Sequence, residues 1–245
     1  MQPIHIQINQ GQETPLISQF LPQAEIGHLY ARSAESIRSN SYGQDYLAWY
    51  ADDKTLCFAV CDGVGQSFCG NLAAQFLGEA LIEWLLQLES DFSAPHLAST
   101  TTEHLNHLTE QGQQVVNNFP LPATLPSLTR MALDGQKQYG SETMFVCGRL
   151  VFADPARSYE GQLMLCWLGD MYLQIYDCHQ QPIAIGAQRN IGERWSTRSG
   201  VKGLKKVHAW TGNLDHICRI LAFSDGLSNV ASRLPALVDN KRPEV

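Results

Sequence analysis

Two Asp-Gly pairs close two apolar runs of the 245-residue chain. Asp62-Gly63 follows Leu56-Cys57-Phe58-Ala59-Val60-Cys61, and Asp225-Gly226 follows Ile220-Leu221-Ala222-Phe223-Ser224. Unbroken apolar runs of this length suit buried strands. A carboxylate where such a strand stops stands at the rim of the core, with low dielectric behind it. Two strands delivering acids to one place would make an oxygen-rich pocket suited to hard divalent cations such as Mg²⁺ or Mn²⁺. Taken singly, each dipeptide reads better as a tight hairpin turn. Two more acids share the placement. Asp170, in Trp167-Leu168-Gly169-Asp170-Met171, separates two apolar runs and alone reads as turn chemistry. Asp45 opens an aromatic-rich run, where a solvated first residue is ordinary. Glycines at 63, 65 and 70 weigh against four independent turns, because they let backbone approach a ligand and lead into a helix start.

The elements that must position these acids follow from pattern. Residues 1–24 are polar and rich in proline and glutamine, and read as an N-terminal arm. His28 to Ala31 suggests a short strand. Asp45 to Tyr50 and Leu56 to Cys61, joined through Ala51-Asp52-Asp53-Lys54, predict a hairpin. Asn71 is the expected N-cap of a helix to Leu88, whose broad apolar face (Leu77, Leu81, Trp84, Leu85) should pack on a sheet. A more polar helix is expected over residues 102–118, ended by a linker containing Pro120, Pro122 and Pro126. Strands are expected over residues 144–152, 162–168, 171–176 and 218–223. Residues 177–215 show no clear period and many glycines, as in a functional loop or flap. Strand, helices, then strands argues for segregated α+β layers in one domain.

Five motifs then fall in a telling order. Phe58-Ala59-Val60-Cys61-Asp62-Gly63-Val64-Gly65 followed by Ala73-Ala74 resembles the "FAVCDGVGG…AA" motif of PP2C-type (PPM) metal-dependent protein serine/threonine phosphatases. Gln44-Asp45 resembles the family's early acidic motif, and Gly140-Ser141-Glu142-Thr143 its Gly-Ser/Thr-Thr strand start with one residue inserted. Leu168-Gly169-Asp170 is similar to "VGDS", and Phe223-Ser224-Asp225-Gly226-Leu227 to "SDGL". The resemblance spans residues 25 to 230. It implies a PP2C-like sandwich of two antiparallel β-sheets flanked by α-helices, and two Mg²⁺ or Mn²⁺ ions, with a third in some members. On matching positions Asp62 would bridge both metals and the Gly63 carbonyl would complete one coordination sphere. Asp225 would ligate the other ion, Asp45 would hold metal-bound waters, and Asp170 would help hold the additional metal. The substrate would be a phosphorylated protein, hydrolysed at phosphoserine or phosphothreonine by a metal-activated water.

The sequence also departs from that pattern. The family places an arginine shortly before its early acidic motif to bind substrate phosphate. Arg38 is the nearest here and a guanidinium suits that role, with a solvated surface arginine as the equal alternative. Met171-Tyr172 stands where Ser-Arg is usual. The family's last Asp-Asn motif, which supplies a further ligand before a final strand, has Asp239-Asn240 as its counterpart by letters only. Lys241-Arg242-Pro243-Glu244-Val245 lacks strand character, so the domain over 25–245 is expected to lack the last motif and strand. That shortfall favours an alternative: a pseudophosphatase that acts as a regulatory binding module. Hydrolysis of a small phosphorylated molecule is a third reading.

Composition narrows the classes. Apolar residues make up 44% and charged residues 17%, so a sizeable core is expected. A net charge of −7, with only Lys202 to Lys206 as a basic run, argues against nucleic acid or an anionic membrane. No signal-peptide pattern opens the chain, and the longest apolar stretch is too short to span a bilayer. The seven cysteines show no CxxC spacing, and Cys57, Cys61, Cys147, Cys166 and Cys218 lie in apolar runs as core thiols. Zinc and disulfide roles are therefore not expected, and a cytoplasmic monomer is. His104 and His107 have a chelating spacing on a helix, but a polar helix face is the better reading.

Overall fold

The computed structural model describes residues 1–89, 92–154, 157–186, 190–203 and 206–227. In chain order the strands and helices open with β1 (Ile4–Gln7), β2 (Thr14–Phe20), β3 (Glu25–Tyr30), α1 (Ala34–Arg38), β4 (Tyr46–Ala51) and β5 (Thr55–Gly63). Four helices follow: α2 (Gly70–Gln87), α3 (Ala94–His107), α4 (Thr109–Asn118) and α5 (Ser127–Lys137). The chain returns to strands with β6 (Glu142–Asp154), β7 (Arg157–Leu168), β8 (Tyr172–Tyr176) and β9 (Pro182–Ile183). Then come β10 (Trp195–Ser196), β11 (Gly200–Val201), β12 (His208–Asn213) and β13 (Arg219–Phe223).

One eight-stranded antiparallel sheet forms the centre, with β1, β4, β5 and β6 as neighbours in that order. Beyond β6, its long edge pairs with β7, which carries β12, and its first residues pair with β10, which carries β11. Two smaller antiparallel sheets, β13-β8-β9 and β2-β3, lie over one face. Strand alternation sorts the side chains between two cores. Cys57, Ala59 and Cys61 of β5, Phe145 and Cys147 of β6, and Met164, Cys166 and Leu168 of β7 meet Leu77, Leu81, Ile82 and Leu85 of α2. Leu56 and Val60, Val146 and Leu150, and Leu163, Leu165 and Trp167 point the other way, onto Leu173 and Ile175 of β8 and Ile26, Ile220 and Ala222. The buried cysteines thus serve as small apolar groups where helices approach the sheet closely. Burial raises the thiols of Cys57, to about 12, and of Cys61, which keeps both neutral.

Several expectations need correction. The first 24 residues include strands: β1 pairs with β4 from Ile4↔Ala51 to Gln7↔Ala48, and β2 pairs with β3. Helix α2 begins at Gly70, with Cys69 at the N-cap in a left-handed conformation, so Asn71 lies inside the helix. The expected helix over 102–118 is two, α3 starting at Ala94 with Pro95 in its first turn. The proline-containing segment leads into a further helix, α5. Residues 177–215 hold four strands; β12 runs along β7 for six residues, from His208↔Trp167 to Asn213↔Gln162. Cys178 and Cys218 form a disulfide, so Cys218 is not a core thiol. His104 stacks on Trp84 with ring centroids 5.1 Å apart, half-buried rather than on an open polar face. No described helix is long and apolar enough to cross a membrane.

Candidate metal centre

Register brings the first two acids together. Tyr46 of β4 stands opposite Cys61 of β5, so continuing the ladder by one residue sets Asp45 across from Asp62. Opposite residues of an antiparallel pair project to the same face, and the two carboxyls share a hydrogen bond. The third acid arrives from the second layer. After β13, Ser224 is buried and its Oγ donates to Asp45 Oδ2 at 2.6 Å, while Asp225 begins a short 3₁₀ turn to Leu227. Asp45, Asp62 and Asp225 all line one cleft of about 950 Å³ between β3 and β13. Its apolar wall includes Leu47, Val60, Ile220 and Ala222.

Glycine is required at the strand end. A Cβ on Gly63 would meet the Gly70 carbonyl carbon at 2.4 Å and the Gln44 carbonyl oxygen at 2.7 Å. The end of β5 therefore abuts the first turn of α2 directly. Around it, Thr143 Oγ1 donates to the Asp62 carbonyl at 2.8 Å, and the Val64 amide donates to the Glu142 carbonyl at 2.9 Å. The Glu142 carboxylate is held by Arg194 at 3.3 Å and by Lys202, which fastens β10 and β11 to the base of the site.

Electrostatics single out this group. Asp62 is pushed up to about 9, first by burial, then by the charges of Asp45 and Asp225, with Asp170 adding a smaller push. Asp45 is also raised, chiefly by burial, against the opposing hydrogen bonds from Ser224 and Asp62. Several carboxylates in one low-dielectric place cannot all ionise without compensation, so the proton shared by Asp45 and Asp62 is what the cluster adopts when no cation is present. An all-oxygen set with excess negative charge fits a hard divalent cation. Among the described residues, no three acidic, histidine or cysteine side chains stand in metal-ligating geometry. Closing onto a cation would require the carboxylates to draw together.

The other expected site residues are placed as follows. Asp170 follows Gly169 after β7 and acts on Asp62 through its charge, but it is not part of the cleft wall. Gly63 is buried at the end of β5 against the backbone of Gly70 and Gln44, and is not part of the cleft wall. Arg38 is exposed at the end of α1 and does not line the cleft. Arg32 does, with its guanidinium on Glu13 at 2.7 Å and on the Ser41 carbonyl at 3.0 Å. Sequence spacing from Asp45 pointed to Arg38 and missed Arg32. Asp239 lies outside the described residues. Ser224 was legible as part of a motif, but its bond to Asp45 was not.

Comparison with known proteins bears on the family and the fold. A family model described as protein phosphatase 2C matches residues 32–242, and the chain belongs to that family. The fold is similar to that of a bacterial serine phosphatase, with a TM-score of 0.52 at 14% identity, covering 100% of this chain and 86% of that one. A point variant of a bacterial serine phosphatase gives 0.51 at 16% identity, over 82% and 78% of the two chains. Serine/threonine phosphatase Stp1 from Staphylococcus aureus gives 0.50 at 11% identity, over 100% and 84%. No curated protein matches the sequence. The α+β architecture of antiparallel sheets and helices is thus PP2C-like.

Proposed function

We propose that the protein is a Mg²⁺- or Mn²⁺-dependent phosphatase acting on phosphoserine or phosphothreonine of a protein substrate. The observation that carries this is the gathering of Asp45, Asp62 and Asp225, from three separate chain segments, into one cleft where burial, and then the neighbouring charges, push Asp62 up to about 9. Asp62, Asp225 and Asp45 would hold the cations, with the Gly63 carbonyl beside them and Asp170 available to a further ion. Bound cations supply Lewis acidity, lowering the pKa of water and neutralising phosphoryl oxygens.

The chain's own groups do the rest. Ser224 keeps the Asp45 carboxylate in one orientation, and the cleft wall of Leu47, Val60 and Ile220 limits water beside the charged end. The substrate phosphate would be met by a guanidinium from the α1 region. Arg38 is exposed there, outside the cleft wall and, among the described residues, without a carboxylate partner to displace, whereas Arg32 lines the cleft but is engaged by Glu13. Hydrolysis of a phosphothreonine peptide with Mn²⁺, lost in Asp62→Ala and weakened through KM in Arg38→Ala, tests the proposal. Metal binding without turnover of any phosphopeptide would instead support a regulatory binding module.

A further inference from the structure

We infer that Gln10 is a positioning residue for the metal centre, clamping the backbone that carries Asp45 onto the first turn of α2; this rests on the metal-dependent reading above. Gln10 lies in the loop between β1 and β2 and is 5% exposed. Its Nε2 faces three carbonyl oxygens: Asp45 at 3.1 Å, Asn71 at 3.2 Å and Gln44 at 3.5 Å. A side-chain amide nitrogen has two hydrogens, so the two shorter contacts use both, and the third is a weak shared one. One bond goes to the residue that presents the Asp45 carboxylate. The other goes to the helix that abuts Gly63.

The clamp is itself held. The Gln10 carbonyl accepts from the Gly43 amide at 2.9 Å and from the Tyr30 hydroxyl at 3.2 Å. A side chain on Gly43 would strike that hydroxyl, with a Cβ only 2.0 Å from it. Gln10 thus ties β3, the residue 43–45 segment and α2 together through the Asp45 backbone, whereas Ser224 holds the Asp45 carboxylate. A cation would have to draw Asp45, Asp62 and Asp225 together from the positions that the proton-sharing cluster holds without it. A fixed backbone at Asp45 removes one way for the cluster to relax away from ligating geometry. Gln10 lies outside the matched residues 32–242.

Gln10→Met keeps the length and packing of the side chain and removes both donors. Mn²⁺ titration calorimetry on the full chain, with thermal melting of the metal-free protein alongside, provides the test. The expected result is an Mn²⁺ dissociation constant raised about tenfold, the size of one net buried hydrogen bond. Equal Mn²⁺ affinity in Gln10→Met and wild type, with only a lower melting temperature, would show a merely structural role and overturn the inference. If Gln10→Met fails to fold, Tyr30→Phe serves: it removes one of the two donors that hold the Gln10 carbonyl and should weaken Mn²⁺ about threefold, and unchanged affinity would again overturn it. Wild-type protein that binds no Mn²⁺ would overturn the metal-dependent reading first, and the positioning role with it.

Discussion

Ser224 donates a 2.6 Å hydrogen bond to Asp45 across 179 positions of sequence, joining the small sheet to the large one at the point where the acids gather. The bond orients the Asp45 carboxylate, which on the proposed reading faces a cation. It also makes the motif Ser-Asp-Gly bifunctional, since Asp225 follows at once.

Removing that hydroxyl should therefore act on the metal before it acts on the fold. Ser224→Ala is expected to weaken Mn²⁺ binding and lower phosphatase activity at limiting Mn²⁺ by about tenfold, in keeping with one buried charge-assisted bond. Ser224→Thr, which retains the donor, should recover most of the affinity. Activity measured against Mn²⁺ concentration distinguishes the two; an alanine variant with wild-type metal dependence would contradict the role given to Ser224.

The raised Asp62 predicts an unusual pH dependence for metal-free protein. Folding raises its pKa from 3.8 to about 9, so the fold favours the protonated form. The stability from that protonation is complete below pH about 4 and disappears as pH rises towards about 9. The melting temperature of the metal-free protein should fall across that range. Asp62→Asn should flatten the slope and, at pH 8, melt higher than wild type by a few degrees, at about 2–4 °C per kcal/mol for a chain of this size. Added Mn²⁺ should raise the wild-type melting temperature more at pH 8 than at pH 5, because protons compete for the same oxygens. A metal-free melting temperature that rises with pH would refute the cluster's charge balance.

How much of this was legible in sequence depends on whether the signal was local. Asp62 and Asp225 stood out because apolar runs of strand length end on them. The hairpin of β4 and β5 followed from Asp52-Asp53-Lys54 between two such runs, where Asp52 Oδ1 accepts from the amides of Lys54 and Thr55 at 2.8 Å. β1 was written just as plainly: Ile4, Ile6 and Ile8 alternate with polar residues, but the surrounding prolines and glutamines outweighed them. Helix α5 buries none of its residues, so it had no core-facing stripe to read. The Arg32 contact with Glu13 and the Gln10 clamp depend on which loops meet in space. No periodicity encodes that.

The two Asp-Gly pairs should respond differently to the same substitution. Gly63→Ala drives a methyl into the backbone of Gly70 and Gln44, where neither neighbour can rotate away. Overpacking of this kind is expected to cost about 3 kcal/mol and to displace α2 from the end of β5. Among the described residues, a Cβ on Gly226 comes no closer than 3.8 Å, to the Ser224 hydroxyl, which is ordinary contact. Gly226→Ala should stay within about 0.5 kcal/mol of wild type. Urea denaturation of both variants makes the comparison, and equal losses would mean that β5 does not abut α2 in the way described.

The Cys178–Cys218 link makes a prediction that is independent of metal. It closes 40 residues of sequence, joining the turn after β8 to the residue just before β13, while β8 and β13 pair along Arg219↔Tyr176 to Phe223↔Tyr172. Both cysteines are exposed, so a reductant can reach them. Oxidised protein unfolded without reductant should titrate five thiols, matching Cys57, Cys61, Cys69, Cys147 and Cys166. Removing the link constrains the unfolded chain less, and about 2–4 kcal/mol of stability should go with it. Cys218→Ser should show the same loss without any reductant. Because the ladder between β8 and β13 survives, Ser224 and Asp225 should still reach the cleft, and Mn²⁺ affinity at 25 °C should change by less than about threefold, within the size of a fraction of one hydrogen bond. Seven titratable thiols in freshly oxidised protein would rule the link out, and a large loss of metal affinity on reduction would show that β13 depends on it for its position.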